Sequence, residues 1–232
     1  MKRERPSVLA HERFMADRDS FVGLGMAARF ERIARTNLWG AATSASGLGS
    51  EFAATAAVRE ALPDLLKRLE ARSLLDAPCG DAIWIKDCIH ELDYTGVDIV
   101  ASLISANSRR VERGDMTGRF LLADITNDAL PRADVILCRD CLVHLSFANI
   151  YRAVAQFRAS GARWLLTTTF PECEVNVDCE DGDWRALNLQ RPPFGWPVPT
   201  ELINERCGEG EGGWDDKSLG LWSLADLQDH CG

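Results

Sequence analysis

The chain has 232 residues, of which 46% are apolar, so it can bury one substantial core and is expected to form a single domain. Its 26 basic and 35 acidic residues give a formal net charge of -9, which argues against a nucleic-acid backbone or an anionic lipid surface as partner. No apolar run approaches the roughly 20 residues that span a bilayer, and the first residues lack the apolar core of a secretion signal, so a cytoplasmic location is expected.

The first part of the chain is predicted to be a polar, partly helical arm. Apolar residues recur there at roughly helical spacing: Phe14, Phe21, Met26, Phe30 and Ile33. A small-residue loop, 44–50, then leads into a helix predicted from about Glu51 to Arg68, with Ser50 as its N-cap. Backbone N–H groups at that helix end could bind a carboxylate or phosphate, and a flexible linker is an equally good interpretation.

Strands and helices alternate regularly from residue 73 onward. Strands are predicted near 73–77, 94–98, 119–123, 133–138 and 163–169, and helices near 81–91, 101–112 and 148–160. Such alternation predicts an α/β fold, with a parallel sheet covered by helices on both faces. Ligands of such folds bind at the carboxyl ends of the strands.

The pattern changes after Phe170. The segment 171–199 is long, irregular and rich in Trp, Pro and Asp, and we expect it to cover a substrate, with anchoring of a loop by Trp184 and Trp196 as the alternative. Two further strand-like runs follow, near 201–207 and 217–224, joined by a Gly-Glu segment typical of a hairpin connection.

The eight cysteines do not predict a disulfide framework. Cys79, Cys88, Cys138 and Cys141 lie in or beside apolar patterns, as reduced buried thiols do. The spacing Cys138-x-x-Cys141 is half of a zinc-binding pattern, but no second close pair of Cys or His completes it. No metal is therefore expected.

Two of the predicted strands each end in a carboxylate. The first ends in Asp76, followed by Ala77-Pro78-Cys79-Gly80-Asp81, and the second ends in Asp98. Carboxylates about twenty residues apart, joined by a segment of helix length, indicate a βαβ unit with a nucleoside bound across its top.

The order of these residues resembles the class I S-adenosylmethionine-dependent methyltransferases. The resemblance covers roughly 73–170 and includes Asp76-x-x-Cys79-Gly80-Asp81, Asp98, Ala123-Asp124-Ile125 and 134–138. Further segments resemble a little-characterised bacterial branch of that superfamily: Trp39-Gly40, Ser46-Gly47-x-Gly49-Ser50, 138–146, 188–194 and 216–222. The resemblance implies a Rossmann-like, mostly parallel seven-stranded sheet with an N-terminal helical arm. It also implies an arm and helix, 1–70, packed on the cofactor site of a catalytic domain, 71–232, in which 170–200 covers the substrate.

The resemblance implies S-adenosylmethionine as the cofactor and assigns roles to the strand-end residues. Asp98 would accept both ribose hydroxyls, with a helix N-cap as the alternative. Asp124 would take the adenine amino group and the Ile125 N–H a ring nitrogen, with a plain turn as the alternative. Asp76 and Asp81 would contact the amino group of the methionine tail or brace the loop. The remaining residues implied for the cofactor site are Trp39, Ser46, Gly47, Pro78, Cys79, Gly80, Ile99 and Cys138.

Three residues after the fourth strand are candidates for catalysis. If a helical turn follows that strand, Asp140 and His144 share a face and could act as a base with its orienting carboxylate. A structural histidine is the alternative. Arg139 would bind an anionic group of the substrate or cofactor, or pair with Asp140.

The predicted activity is methyl transfer to a small polar acceptor, with a sugar-like molecule among the candidates and oxygen favoured as the methylated atom. A non-catalytic, cofactor-binding regulatory module is the alternative. A nicotinamide-dependent oxidoreductase is less favoured, because Gly-x-Gly-x-x-Gly does not follow the first strand. The expected partner is a small-molecule acceptor, with no nucleic acid and no membrane, and a homodimer is a candidate assembly.

Overall fold

The computed structural model describes residues 5–227, which form a seven-stranded sheet and its helices. The strands are β1 Ser73–Asp76, β2 Asp93–Asp98, β3 Arg119–Leu122, β4 Val135–Cys138, β5 Trp164–Thr169, β6 Glu201–Asn204 and β7 Ser218–Ser223. The helices are α1 Leu9–Ala16, α2 Met26–Thr36, α3 Ala56–Arg68, α4 Ala101–Glu112 and α5 Phe147–Ala159. Within this part of the chain no helix has both the length and the apolar character needed to cross a bilayer.

The strand order is β3-β2-β1-β4-β5-β7-β6. Strands β1 to β5 pair in parallel, whereas β7 is antiparallel to both β5 and β6. The order reverses between β1 and β4, so their carboxyl ends lie beside the crevice where open sheets of this kind bind ligands. The predicted mostly parallel α/β fold is confirmed.

Alternate residues of the central strands pack into two separate hydrophobic clusters. Leu75 and Ile136 lie in the cluster that contains Phe157 of α5, and Leu74 and Val135 lie in the one that contains the α3 leucines. Because successive strand residues point to opposite faces, the two clusters lie on opposite sides of the sheet. Helices therefore cover both faces, as predicted.

One predicted helix is absent and the predicted start of another is wrong. The segment 81–91 contains only a short 3-10 turn, Ile85–Cys88, and the left-handed conformation of Ala82, with φ 49°, prevents a right-handed helix from including the first residues of the segment. Helix α3 begins at Ala56 rather than Glu51, since the Glu51 carboxylate accepts hydrogen bonds from the Ala42 and Thr43 N–H groups and holds the chain in a loop.

The arm and the late segment both pack against the sheet domain. Phe14, Phe21 and Ile33 form a small core of their own, as their helical spacing predicts. The segment 171–199 contains no helix or strand, yet its Phe194 and Trp196 are buried in the main core. This segment is therefore anchored over much of its length.

Candidate active site

A cavity opens at the carboxyl edge of the parallel strands, and with its mouth it encloses about 930 Å³. We call it the first cavity. Its polar lining comes from the ends of four neighbouring strands: Asp76, Asp98, Asp124, Arg139 and Asp140. Its apolar lining comes from helix α2 and the strand-end loops: Met26, Phe30, Ala34, Ile99, Leu103, Ile125 and Leu145. A cavity that combines carboxylates with apolar side chains suits a flat ligand that carries hydrogen-bond donors at its edge.

Asp98 lies at the tip of β2 and is 5% exposed. Its Oδ2 accepts a hydrogen bond from the Gly80 N–H at 2.9 Å, and its Oδ1 accepts one from the Val100 N–H at 2.9 Å. Burial raises the pKa of Asp98 to about 6, against these hydrogen bonds, which lower it. Helix α4 begins three residues later without a side-chain cap, so Asp98 is not its N-cap.

The loop after β1 is fastened to the small-residue loop 44–50. Asp81 Oδ2 accepts hydrogen bonds from the Ser44 hydroxyl and the Ala45 N–H, and the Asp81 N–H donates to the Ser46 hydroxyl. Gly80 has φ 56°, and a Cβ there would overlap the Ser46 hydroxyl. Only glycine therefore lets these two loops meet, and Asp81 braces them.

Asp124 and Ile125 both line the first cavity beyond the end of β3. Asp124 Oδ1 accepts hydrogen bonds from the Thr126 N–H at 2.8 Å and the Thr126 hydroxyl at 2.7 Å. Asp124 therefore forms the turn that the sequence offers as its alternative role. A turn through Oδ1 is compatible with a ligand contact, because a carboxylate has two oxygens.

Asp76 is the most deeply buried carboxylate of the first cavity, at 3% exposed. Its Oδ2 accepts a hydrogen bond from the Tyr94 hydroxyl at 2.8 Å. Burial raises the pKa of Asp76 to about 7, against the lowering effect of that hydrogen bond. A carboxyl group held at such cost beside a cavity is typical of a functional site.

Four charged side chains, of which three are buried and Asp140 is partly exposed, form a network behind the end of β4. Arg139 donates to Glu205 at 2.6 and 3.2 Å, and Lys217 donates to Asp140 at 2.6 Å. Arg139 also lies 3.4 Å from Asp140, and Lys217 lies 3.5 Å from Glu205. Burial alone would raise the pKa of Asp140, but Lys217 and Arg139 outweigh it and lower the pKa to about 2. Asp140 is therefore ionised at neutral pH.

His144 is buried and lies against the Trp39 ring, with the ring centroids 4.4 Å apart. Its Nδ1 lies 2.8 Å from the Asp183 carbonyl oxygen, so Nδ1 carries the proton and Nε2 is the basic nitrogen. Burial lowers the pKa of His144 to about 4, which keeps the ring neutral.

The predicted pairing of Asp140 with His144 is not formed. The turn after β4 is a 3-10 turn from Leu142 to His144, and Asp140 itself has φ 50°, so no α-helical face brings the two side chains together. Asp140 pairs with Lys217 instead. Both Asp140 and His144 nevertheless line the first cavity.

Most of the residues predicted for the site line the first cavity together: Trp39, Ser46, Asp76, Pro78, Cys79, Gly80, Asp98, Ile99, Asp124, Ile125, Arg139, Asp140 and His144. Three do not. Gly47 lines a neighbouring cavity, Asp81 braces the loops, and Cys138 is completely buried within β4.

Sequence reasoning missed Lys217, Glu205 and Trp84. Trp84 lines the first cavity, with the Arg139 guanidinium 5.5 Å from the centre of its ring. Lys217 and Glu205 reach the site from the β6–β7 hairpin. The resemblance of 216–222 to the bacterial branch is the signal for Lys217 in the sequence. Spacing alone does not indicate that Lys217 pairs with Asp140.

No protein-family model matches the sequence, and no curated protein matches it either. Three similar solved structures have TM-scores just above one half. The methyltransferase domain of bacterial CtHen1-C is 13% identical, with 74% of this chain and 98% of that chain covered and a TM-score of 0.54. Its counterpart CtHen1-CN is 12% identical, with 73% and 99% covered and a TM-score of 0.53. The PH0226 protein from Pyrococcus horikoshii OT3 is 13% identical, with 69% and 86% covered and a TM-score of 0.51. At such identities the likeness concerns the fold alone, and this chain has the Rossmann-like α/β fold of methyltransferase domains.

Proposed function

We propose that the chain is an S-adenosylmethionine-dependent methyltransferase that acts on a small polar molecule. One observation carries this proposal: carboxylates from three adjacent strand ends, Asp76, Asp98 and Asp124, line a single cavity. A nucleoside with a cationic amino acid tail presents a diol, an amino group on a ring and an ammonium group, and each of these donates hydrogen bonds to a carboxylate.

The residues present fit that cofactor. Asp98 would hold the ribose hydroxyls, Asp124 and the Ile125 N–H the adenine edge, and Asp76 the ammonium of the tail. An ammonium beside Asp76 would stabilise its ionised form, which burial disfavours in the free protein. When bound, the cofactor supplies an electrophilic methyl group.

The chain's own contribution is to orient the acceptor and exclude water. The sequence favours oxygen as the acceptor atom, and a hydroxyl acceptor needs a base. His144 lines the first cavity, and Nε2 is its basic nitrogen because Nδ1 donates to the Asp183 carbonyl. Because burial lowers the pKa of His144 to about 4, it is a weak base for a hydroxyl proton.

Calorimetric titration with S-adenosylmethionine and S-adenosylhomocysteine tests the proposal. Asp98→Asn removes the charge at the tip of β2, whereas Asp93→Asn makes the same change at the exposed start of the same strand. Charge-assisted hydrogen bonds contribute about 1.5–3 kcal/mol each, so Asp98→Asn is expected to weaken binding by about tenfold or more.

Asp93→Asn is expected to bind like the parent protein. No binding by the parent protein, or equal binding by the Asp98→Asn variant with an unchanged melting temperature, would refute the assignment. Formation of S-adenosylhomocysteine with a panel of acceptors separates an enzyme from a cofactor-binding regulatory module, which would bind the cofactor without converting it.

A further inference from the structure

A second cavity of about 570 Å³ adjoins the first. The two cavities share four lining residues: Trp39, Ser46, Asp140 and His144. The two cavities therefore adjoin at these four residues, which we call the shared wall. If the first cavity holds the methyl donor, the second is the place for the acceptor.

Three aromatic rings line the second cavity at nearly right angles to one another. The ring centroids of Trp184 and Trp214 are 4.9 Å apart at 78°, and Phe170 lies 5.8 Å from Trp184 at 85° and 5.7 Å from Trp214 at 83°. The guanidinium of Arg5 lies 4.9 Å from the centre of the Trp214 ring. Arg5 is held there by two hydrogen bonds to the Asp216 carboxylate at 2.8 Å, and its position shows that a cation fits beside this ring.

The charged groups at and beside the second cavity include one more acid than base. Lys217 and Arg139 are balanced by Asp140 and Glu205, with which they form the network, and Arg5 is balanced by Asp216. Glu209, which also lines the second cavity, adds a negative charge that this network does not balance. Burial raises the pKa of Glu209, so its carboxylate accepts a proton more readily than an exposed glutamate does.

We propose that the second cavity binds a small organic amine and presents its nitrogen to the first cavity across the shared wall. The proposal rests on the proposed function and specifies its acceptor. An aromatic corner together with an excess carboxylate recognises an ammonium group, whereas an alcohol gains little from either.

The chemistry of the transfer agrees with an amine. The bound ammonium gives one proton to the Glu209 carboxylate, and Glu209 then passes that proton to solvent. The freed nitrogen lone pair forms the new N–C bond, and the S–C bond breaks with its electron pair passing to sulfur. An ammonium is a much stronger acid than an alcohol, so an amine does not need the strong base that His144 fails to provide.

Binding to the cofactor-free protein tests this inference without any turnover. Calorimetry measures the binding of three probes: tetramethylammonium, which cannot accept a methyl group, and the matched pair cyclohexylamine and cyclohexanol. Tetramethylammonium and protonated cyclohexylamine, the two cations, are expected to bind at least tenfold more tightly than cyclohexanol. Trp184→Leu and Glu209→Gln are each expected to weaken binding of the cations at least fivefold.

Trp164→Leu is the control, because Trp164 is also half-buried but lies at the start of β5 and lines neither cavity. It should leave cation binding unchanged, and all three variants should keep the parent affinity for S-adenosylhomocysteine. Equal binding of cyclohexanol and cyclohexylamine, or cation binding that survives both Trp184→Leu and Glu209→Gln, would overturn the inference. If S-adenosylhomocysteine binds but the amines do not, the inference alone fails; if S-adenosylhomocysteine does not bind, the proposed function fails.

Discussion

Replacing Asp76 by Asn is predicted to stabilise the ligand-free protein at alkaline pH. Burial raises the pKa of Asp76 from 3.8 to about 7. Each unit of pKa difference between the folded and unfolded chains corresponds to about 1.4 kcal/mol, so ionised Asp76 costs the folded chain about 4 kcal/mol above pH 7. Asn carries no charge and can still accept the hydrogen bond from the Tyr94 hydroxyl.

The pH trend follows from the same numbers. Between about pH 4 and pH 7 the unfolded chain has lost this proton while the folded chain retains it, so the contribution of Asp76 to the free energy of unfolding falls as pH rises. Urea unfolding at pH 5 and pH 8 measures the effect. The difference between Asp76→Asn and the parent protein should grow by a few kcal/mol in favour of the variant at pH 8.

Asp134→Asn is a matched control with the opposite sign. Asp134 lies at the other end of the sheet, where its carboxylate accepts hydrogen bonds from the Arg72 and Ser73 N–H groups and the Ser73 hydroxyl. Although partial burial raises its pKa, these hydrogen bonds lower it overall. Asp134→Asn should therefore destabilise the protein at neutral pH. An Asp76→Asn variant that is no more stable than the parent at pH 8 would refute the reasoning about Asp76.

Two further substitutions test the wall between the cavities. His144→Asn keeps a donor for the Asp183 carbonyl but removes Nε2. Because an amine acceptor would lose its proton to Glu209, transfer to an amine should stay near the parent rate with S-adenosylhomocysteine affinity nearly intact; a large loss of turnover at unchanged affinity would show that Nε2 acts as the base. Gly49→Ala places a Cβ in overlap with the Asp140 carboxylate and 3.2 Å from Lys217 Nζ, and it should cost about 1–3 kcal/mol in urea unfolding. Gly208→Ala, where a Cβ meets nothing within 4 Å, is its control, and equal stability of the two alanine variants would contradict the predicted clash.

The sheet could be predicted because its strands are short apolar runs with regular spacing. Residues 74–76 and 135–138 are buried at every position, and apart from Asp76 at the tip of β1 they are apolar, as expected for strands covered on both faces. The same reasoning wrongly predicts a helix over 81–91, where only a 3-10 turn forms. The composition of this segment is compatible with a helix, but Asp81 at its start is hydrogen-bonded to the small-residue loop and Ala82 next to it is left-handed, and contacts between such distant segments cannot be read from local composition.

The strand-end carboxylates could be predicted because parallel strands bring their carboxyl ends to one edge. The partners of those groups could not. Lys217 lies 77 residues from Asp140 in sequence, and Glu205 lies 66 residues from Arg139. Only the antiparallel addition of β6 and β7 beside β5 brings that hairpin to the site. For the same reason the aromatic corner formed by Phe170, Trp184 and Trp214 was not foreseen.

A crystal structure of the complex with S-adenosylhomocysteine tests the central claim most directly. We expect the ribose hydroxyls within hydrogen-bonding distance of the Asp98 carboxylate, the adenine beside Asp124 and Ile125, and the sulfur facing the wall that contains Asp140 and His144. A nucleoside bound outside the first cavity, or bound inside it with the ribose away from Asp98, would contradict the assignment of this cavity to the cofactor.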